Sequence, residues 1–173
     1  MMTTDPQDEI FPHVNEKDEV IGQVLRKEAN HNPAIIHRAI GILVYNQKKE
    51  LLIQKRSATK DTYPNAWTIS VTGHVDYGVS YDDTVVREMS EEVGVESTVE
   101  DFTCLGKILV RASYETEFWQ VYEYHLNNNI TLKRNEEEIA EIQFVSLSVL
   151  KQMLTDSTIE WTIGARDVFK GFL

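Results

Sequence analysis

Between Trp67 and Val95 the chain spells a strand, a glycine-bearing loop and an acidic helix, and no other stretch restricts the fold as tightly. Trp67-Thr68-Ile69-Ser70-Val71-Thr72 carries the aromatic and β-branched residues of a strand. Gly73 and Gly78 mark the loop. Ser80 and Asp83 have the form of a capping box, and Asp82 and Asp83 put acid in the first turn, where the helix dipole favours it. Val85, Val86, Met89 and Val93 recur at helical spacing and make an apolar face. Gly94 is a natural C-terminal stop.

On that helix, Arg87-Glu88-Met89-Ser90-Glu91-Glu92 places three carboxylates at i, i+3 and i+4. Those positions share one face, within an arc of roughly 100°. Like charges held so close repel unless a cation sits among them. Carboxylate oxygens suit hard divalent ions such as Mg²⁺ or Mn²⁺, which take phosphate oxygens as further ligands. A merely solvated acidic face would explain neither the glycine spacing nor the arginine.

The stretch resembles the Nudix box, in which Gly, five residues, Glu and seven residues precede Arg-Glu-apolar-x-Glu-Glu-x-Gly-apolar. Gly73, Arg87, Glu88, Met89, Glu91, Glu92, Gly94 and Val95 match it, and Val79 stands where the pattern has its first Glu. The resemblance implies a metal-dependent hydrolase that cleaves the diphosphate link of a nucleoside diphosphate derivative or similar small molecule. Glu88, Glu91, Glu92 and the backbone carbonyl of Gly73 would hold Mg²⁺ (or Mn²⁺), and Arg87 would orient the glutamates. Glu91, or Glu117 outside the helix, would accept the proton of the attacking water. Val79 leaves Arg87 short of one partner, which keeps open a non-catalytic module that binds a phosphorylated metabolite.

Composition narrows the partners. Asp and Glu number 28 against 17 Lys and Arg, a net charge of −11, and much of the acid lies between Asp76 and Asp101. That sign argues against a nucleic-acid polymer or an anionic membrane as partner. A phosphate substrate would be repelled at the box unless metal neutralised the site. At 173 residues the chain has the size of one domain. A flexible terminus over residues 1–9 and a single domain over 10–173 are expected. No apolar run approaches membrane-spanning length. Cys104 is the only cysteine, and Met1-Met2-Thr3-Thr4-Asp5 lacks the blocks of a signal peptide, so a reducing cytoplasm is the expected setting. Self-association is not legible; a homodimer is a guess.

Val14 to Gly22 reads as a turn between two short strands, and 37–45 and 50–55 as strands joined by a polar turn. Further strands are predicted at 102–111, 117–126 and 141–145, and helices at 146–156 and 161–172. Strands on both sides of a long helix, with helices at the end, imply a mixed sheet between helical layers. The expected class is α+β, as the α/β/α sandwich of the resemblance.

Outside the box, Arg56 ends a strand and Lys60 lies four residues on in the loop before the box; the two could hold a diphosphate, Arg56 as a fork and Lys60 as a point charge. Glu115 and Glu117 alternate on a strand start and so face one side. His74 follows the box glycine and His37 opens a strand. Glu137, Glu138 and Glu141 read as solvated. The likeness extends over most of residues 14–170 to the branch of the superfamily that includes isopentenyl-diphosphate isomerase, through Asp18-Glu19-Val20-Ile21-Gly22, His37-Arg38-Ala39, Gln54-Lys55-Arg56-Ser57, Lys60 and Pro64 to Trp67-Thr68. It implies metal or substrate contacts at His37, His74, Glu115 and Glu117, and a carbocation-facing role for Trp161. Thr72 stands at the position of that enzyme's catalytic cysteine, and Asn30 at that of a further metal-binding histidine. A threonine hydroxyl is far too weak an acid to replace the thiol. An isomerase-like enzyme is therefore the further alternative.

Overall fold

Strand β3 (Ile36–Tyr45) is the axis of a computed structural model that describes residues 3–173. Its even positions Ile40, Ile42 and Val44 face one apolar cluster, and Ala39 and Leu43 face another. The period of two in a strand produces both from one segment. β3 pairs in parallel with β8 (Thr116–His125) along its whole length, and antiparallel with β6 (Val71–His74). At its ends it meets β1 (Ile10–Val14) and β4 (Leu51–Arg56). The remaining strands are β2 (Val20–Leu25) on β1, β5 (Trp67–Thr68) and β9 (Ile139–Val145) on β4, and β7 (Phe102–Arg111) on β8. Together they form one mixed sheet.

The acidic helix is α2 (Tyr81–Val93), after the single turn α1 (Arg26–Ala29). Ser80 caps it, accepting the Asp83 N–H at 3.0 Å, and Gly94 ends it in the left-handed region at φ 70°. Its apolar face, Val85, Met89 and Val93, is fully buried against Ile40, Ile42 and Tyr122. On the other side of the sheet, α3 (Leu147–Thr155) and α4 (Ile163–Phe172) cover Leu43, Leu51, Ile53 and Val121. Helical layers on both faces of a mixed sheet give the expected sandwich.

Two details differ from the sequence reading. The strand expected at 67–72 breaks at Ile69–Ser70, because its two halves pair with different neighbours, β5 with β4 and β6 with β3. The Ser70 hydroxyl fills the gap, donating to the Leu52 carbonyl (2.6 Å) and accepting the Val44 N–H (2.8 Å). Of the terminus expected to be loose, residues 1–9, the first two lie outside the described residues, and residues 3–9 lie against the 57–65 loop. The Thr4 N–H donates to the Thr59 carbonyl at 3.2 Å, and Asp5 is only 7% exposed. Their anchors are charges that no local pattern announces.

Candidate active site

A cavity opens where β6, α2, the start of β8, the 57–65 loop and the N-terminal segment converge. The box glutamates, Gly73 and Arg87 line it with Arg56, Lys60, His74, Glu115 and Glu117, while His37 is fully buried beside Glu117.

The helix divides its three box carboxylates. Glu88 and Glu92 are buried and Glu91 stands at the rim with a 56% exposed side chain. Gly73 explains how Glu88 fits, because a Cβ at that position would lie 2.1 Å from the Glu88 Cδ. Any side chain there would evict the carboxylate. Glu92 Oε2 accepts the Gln54 side-chain amide at 2.8 Å and the Thr72 N–H at 3.3 Å. Burial, then the charge of Glu138, raises Glu92 to a pKa of about 8. Burial and the neighbouring Glu92 push Glu88 well above the usual carboxylate range. The pair is thus costly in ionised form, as like charges in a low dielectric must be.

Arg87 does not lack a partner. Its guanidinium lies 3.0 Å from Glu88, 3.2 Å from Glu91 and 3.4 Å from Asp76, and donates to the His74 carbonyl at 3.1 Å. Asp76, three residues before Val79, supplies the carboxylate that the pattern leads one to miss. A sign of it was readable: an acid in the same loop, displaced by one turn.

Glu117 in β8 and Glu115, one residue before that strand, both line the cavity, and their surroundings set them apart. Glu117 Oε1 lies 3.3 Å from His37 Nε2 and 3.1 Å from His74 Nε2, and its Oε2 accepts the Trp119 indole N–H at 2.9 Å. Burial alone would raise Glu117, but the two imidazoles override it and hold the carboxyl well below its ordinary value. Burial lowers His74. Both ring nitrogens of His37 and Nε2 of His74 are buried without an aligned hydrogen-bond partner. Three ligand atoms from His37, His74 and Glu117 lie within 4.8 Å of one another, the convergence a transition-metal ion would require. Phe11 fixes the rings, stacking on His74 at 4.5 Å and His37 at 5.4 Å between centroids. Glu115 is raised to about 9 by burial and by Glu117.

The two expected phosphate cations are already engaged. Arg56 donates to the Thr62 carbonyl through Nε (3.1 Å) and Nη2 (2.9 Å), which shapes the loop around it. Lys60 pairs with Asp5 and, at 3.0 Å, with Glu138. Glu138, read as solvated, instead lines the cavity, while Glu137 and Glu141 are exposed. Thr72, at the isomerase cysteine position, also lines the cavity. Trp161 does not; it is buried against Trp67 and Phe169.

Comparison with known proteins places these features in a family context. The model of the NUDIX domain matches residues 35–163. Isopentenyl-diphosphate Delta-isomerase I, chloroplastic, from Arabidopsis thaliana is 30% identical over 163 residues, covering 82% of this chain and 55% of that protein. The chain thus spans about half the length of that curated relative. The crystal structure of DR0079 from Deinococcus radiodurans superposes with a TM-score of 0.76 at 26% identity, covering 95% of this chain and 100% of that one. A MutT protein from Methanosarcina mazei Go1 superposes with a TM-score of 0.63 at 22% identity, covering 80% and 92%. No helix among the described residues is long and apolar enough to cross a membrane.

Proposed function

Because the chain belongs to the Nudix family, we propose that it is a metal-dependent hydrolase cleaving the diphosphate linkage of a small molecule, such as a nucleoside diphosphate derivative. One observation carries this reading above the others: Glu88 and Glu92 are buried side by side in a cavity wall, where protein groups neutralise them only in part. Such a pair is destabilising unless a hard cation uses it.

Glu88, Glu91 and Glu92, with the Gly73 carbonyl, would hold Mg²⁺ (or Mn²⁺). The ion supplies polarisation of the phosphoryl oxygens, a more acidic bound water and charge for the leaving oxygen. Arg87, tied to Glu88, Glu91 and Asp76, fixes Glu88 and Glu91 in place. Glu91 is the best base: it stands at the solvent rim, where water enters, and can take the proton as the water oxygen bonds to phosphorus and the bridging P–O bond breaks. Glu117 is a poorer base than the sequence implied, because two imidazoles hold its carboxyl well below the ordinary range and so weaken its hold on a proton. It fits better as a ligand, with His37 and His74, for a second and softer cation. Arg56 and Lys60 would meet the diphosphate oxygens once their present partners yield. The setting is a cytoplasmic one, with a small-molecule partner.

The isomerase reading is weaker in this geometry, since Thr72 cannot act as the thiol and Trp161 faces the α3–α4 core. The sensor reading loses its main support, because Asp76 completes Arg87. Phosphate release from a panel of nucleotide and isoprenoid diphosphates, with Mg²⁺ or Mn²⁺, tests the proposal. Glu91→Gln should keep the fold and lower turnover by roughly 100-fold or more. Full activity in that variant removes the assignment; binding without release favours the sensor, and double-bond migration the isomerase.

A further inference from the structure

A second group of charges lines the same cavity. Arg26 is 5% exposed, and each edge of its guanidinium meets a carboxylate. Nη2 lies 3.1 Å from Asp5, Nη1 lies 2.7 Å from Glu9 and Nε lies 2.8 Å from Asp61. Asp5 also pairs with Lys60 and accepts the Asp61 N–H at 2.8 Å and the Thr3 hydroxyl at 3.2 Å. Its carboxylate therefore sits in a cradle of two cations, a backbone N–H and a hydroxyl. Those are the donors that bind a phosphoryl group.

The cradle and the box share one cavity wall, with Asp5, Lys60, Glu138, Glu88 and Glu92 all lining it. Lys60 touches Asp5 on one side and Glu138 on the other. A phosphate chain anchored at the box glutamates would reach Lys60 and next meet Asp5. There it would have to displace Asp5 from both cations or stand against its charge. Arg26 offers no relief, being already shared among three acids.

We propose that Asp5 is a specificity-determining residue that limits the length of the phosphate chain, its carboxylate already occupying the cations that a longer chain would need. The assignment rests on the hydrolase reading, and inorganic diphosphate and inorganic triphosphate separate the two. Each is titrated calorimetrically into the full chain with saturating Mg²⁺. The wild-type chain binds diphosphate roughly tenfold more tightly than triphosphate, the scale of one like-charge contact. Asp5→Asn, nearly isosteric, narrows that ratio about fivefold or more, through tighter triphosphate binding. Equal wild-type affinities overturn the inference with no variant needed. So does a folded Asp5→Asn chain that keeps the wild-type ratio. Binding of neither probe removes the hydrolase reading and this one with it, whereas diphosphate binding without discrimination removes the role of Asp5 alone.

Discussion

The carboxylates of Asp5 and Glu9, with Asp61 beside them on Arg26, and those of Glu88 and Glu92 gather around one cavity wall, yet the fold treats the two groups differently. In the first group every acid meets the guanidinium of Arg26, and Lys60 adds a second cation. Burial would raise Asp61, but its hydrogen bond and charge contact with Arg26 hold it far below the usual range. In the second group Glu92 has an amide and a backbone N–H, and Glu88 shares one arginine with two other acids. Both of those glutamates are raised. Buried acid alone thus marks no site. An acid whose partners have been withheld does, because natural folds otherwise satisfy buried charge.

Removing one member from each group should give opposite results. Arg26→Met leaves three acids without their shared cation and should destabilise the chain by about 3–5 kcal/mol in denaturant titrations. Glu92→Gln removes one of two repelling charges. Its metal-free stability should equal or exceed that of the parent, while turnover with Mg²⁺ falls by roughly 100-fold or more. Equal stability losses in the two variants would erase the distinction between the groups.

A smaller but more diagnostic contrast lies in pH. Glu92 has a folded pKa of about 8 against a reference value of 4.5, so its contribution to stability is full below 4.5 and is lost as pH rises toward 8. Asp61 is lowered from 3.8, so its contribution is present above 3.8 and is lost on acidification. Without metal, thermal stability should therefore decline between about pH 5 and 8, and Mg²⁺ should restore more at the higher pH. Calorimetry in buffers of different ionisation heat should record proton release on Mg²⁺ binding at pH 7. Metal binding without proton release, and flat metal-free stability, would show that the glutamates are not raised.

The box side of this contrast was legible in the sequence and the Arg26 side was not. Ser80, Gly94 and the apolar stripe of α2 act within one helix, so spacing alone located them. Gly73 could be named, but its reason, the 2.1 Å approach of Glu88, is a contact between β6 and α2. The Asp5–Arg26–Asp61 group joins Asp61 to Arg26 across 35 residues and to Asp5 across 56, and no local period links them. The 67–72 strand was half right for the same reason: its residues favour extended backbone, but the choice of partner strand belongs to the tertiary fold. Strand alternation named Glu115 and Glu117, the box glycine and a strand start drew notice to His74 and His37, and the resemblance tied the four together. Their division into a held carboxylate and a raised one needed the three-dimensional arrangement.

The smallest expected effect concerns Asp76, and it tests whether the box was repaired or merely damaged. The Arg87–Asp76 pair is 3.4 Å long and both side chains are more than a third open to solvent or nearly so, at 41% for Asp76 and 35% for Arg87. Pairs of that kind contribute about 0.2–1 kcal/mol. Asp76→Asn should therefore cost only about two- to fivefold in turnover, with little change in thermal stability. If Asp76 replaces the missing box glutamate, Val79→Glu should do little in the parent chain, where Arg87 is already satisfied. In the Asp76→Asn background the same change should return most of the lost turnover. An Asp76→Asn variant that Val79→Glu fails to rescue would mean that Asp76 serves the loop rather than the arginine. Arg87 would then be held by Glu88, Glu91 and the His74 carbonyl alone, and the apolar residue at 79 would count as a loss that the chain has not made good.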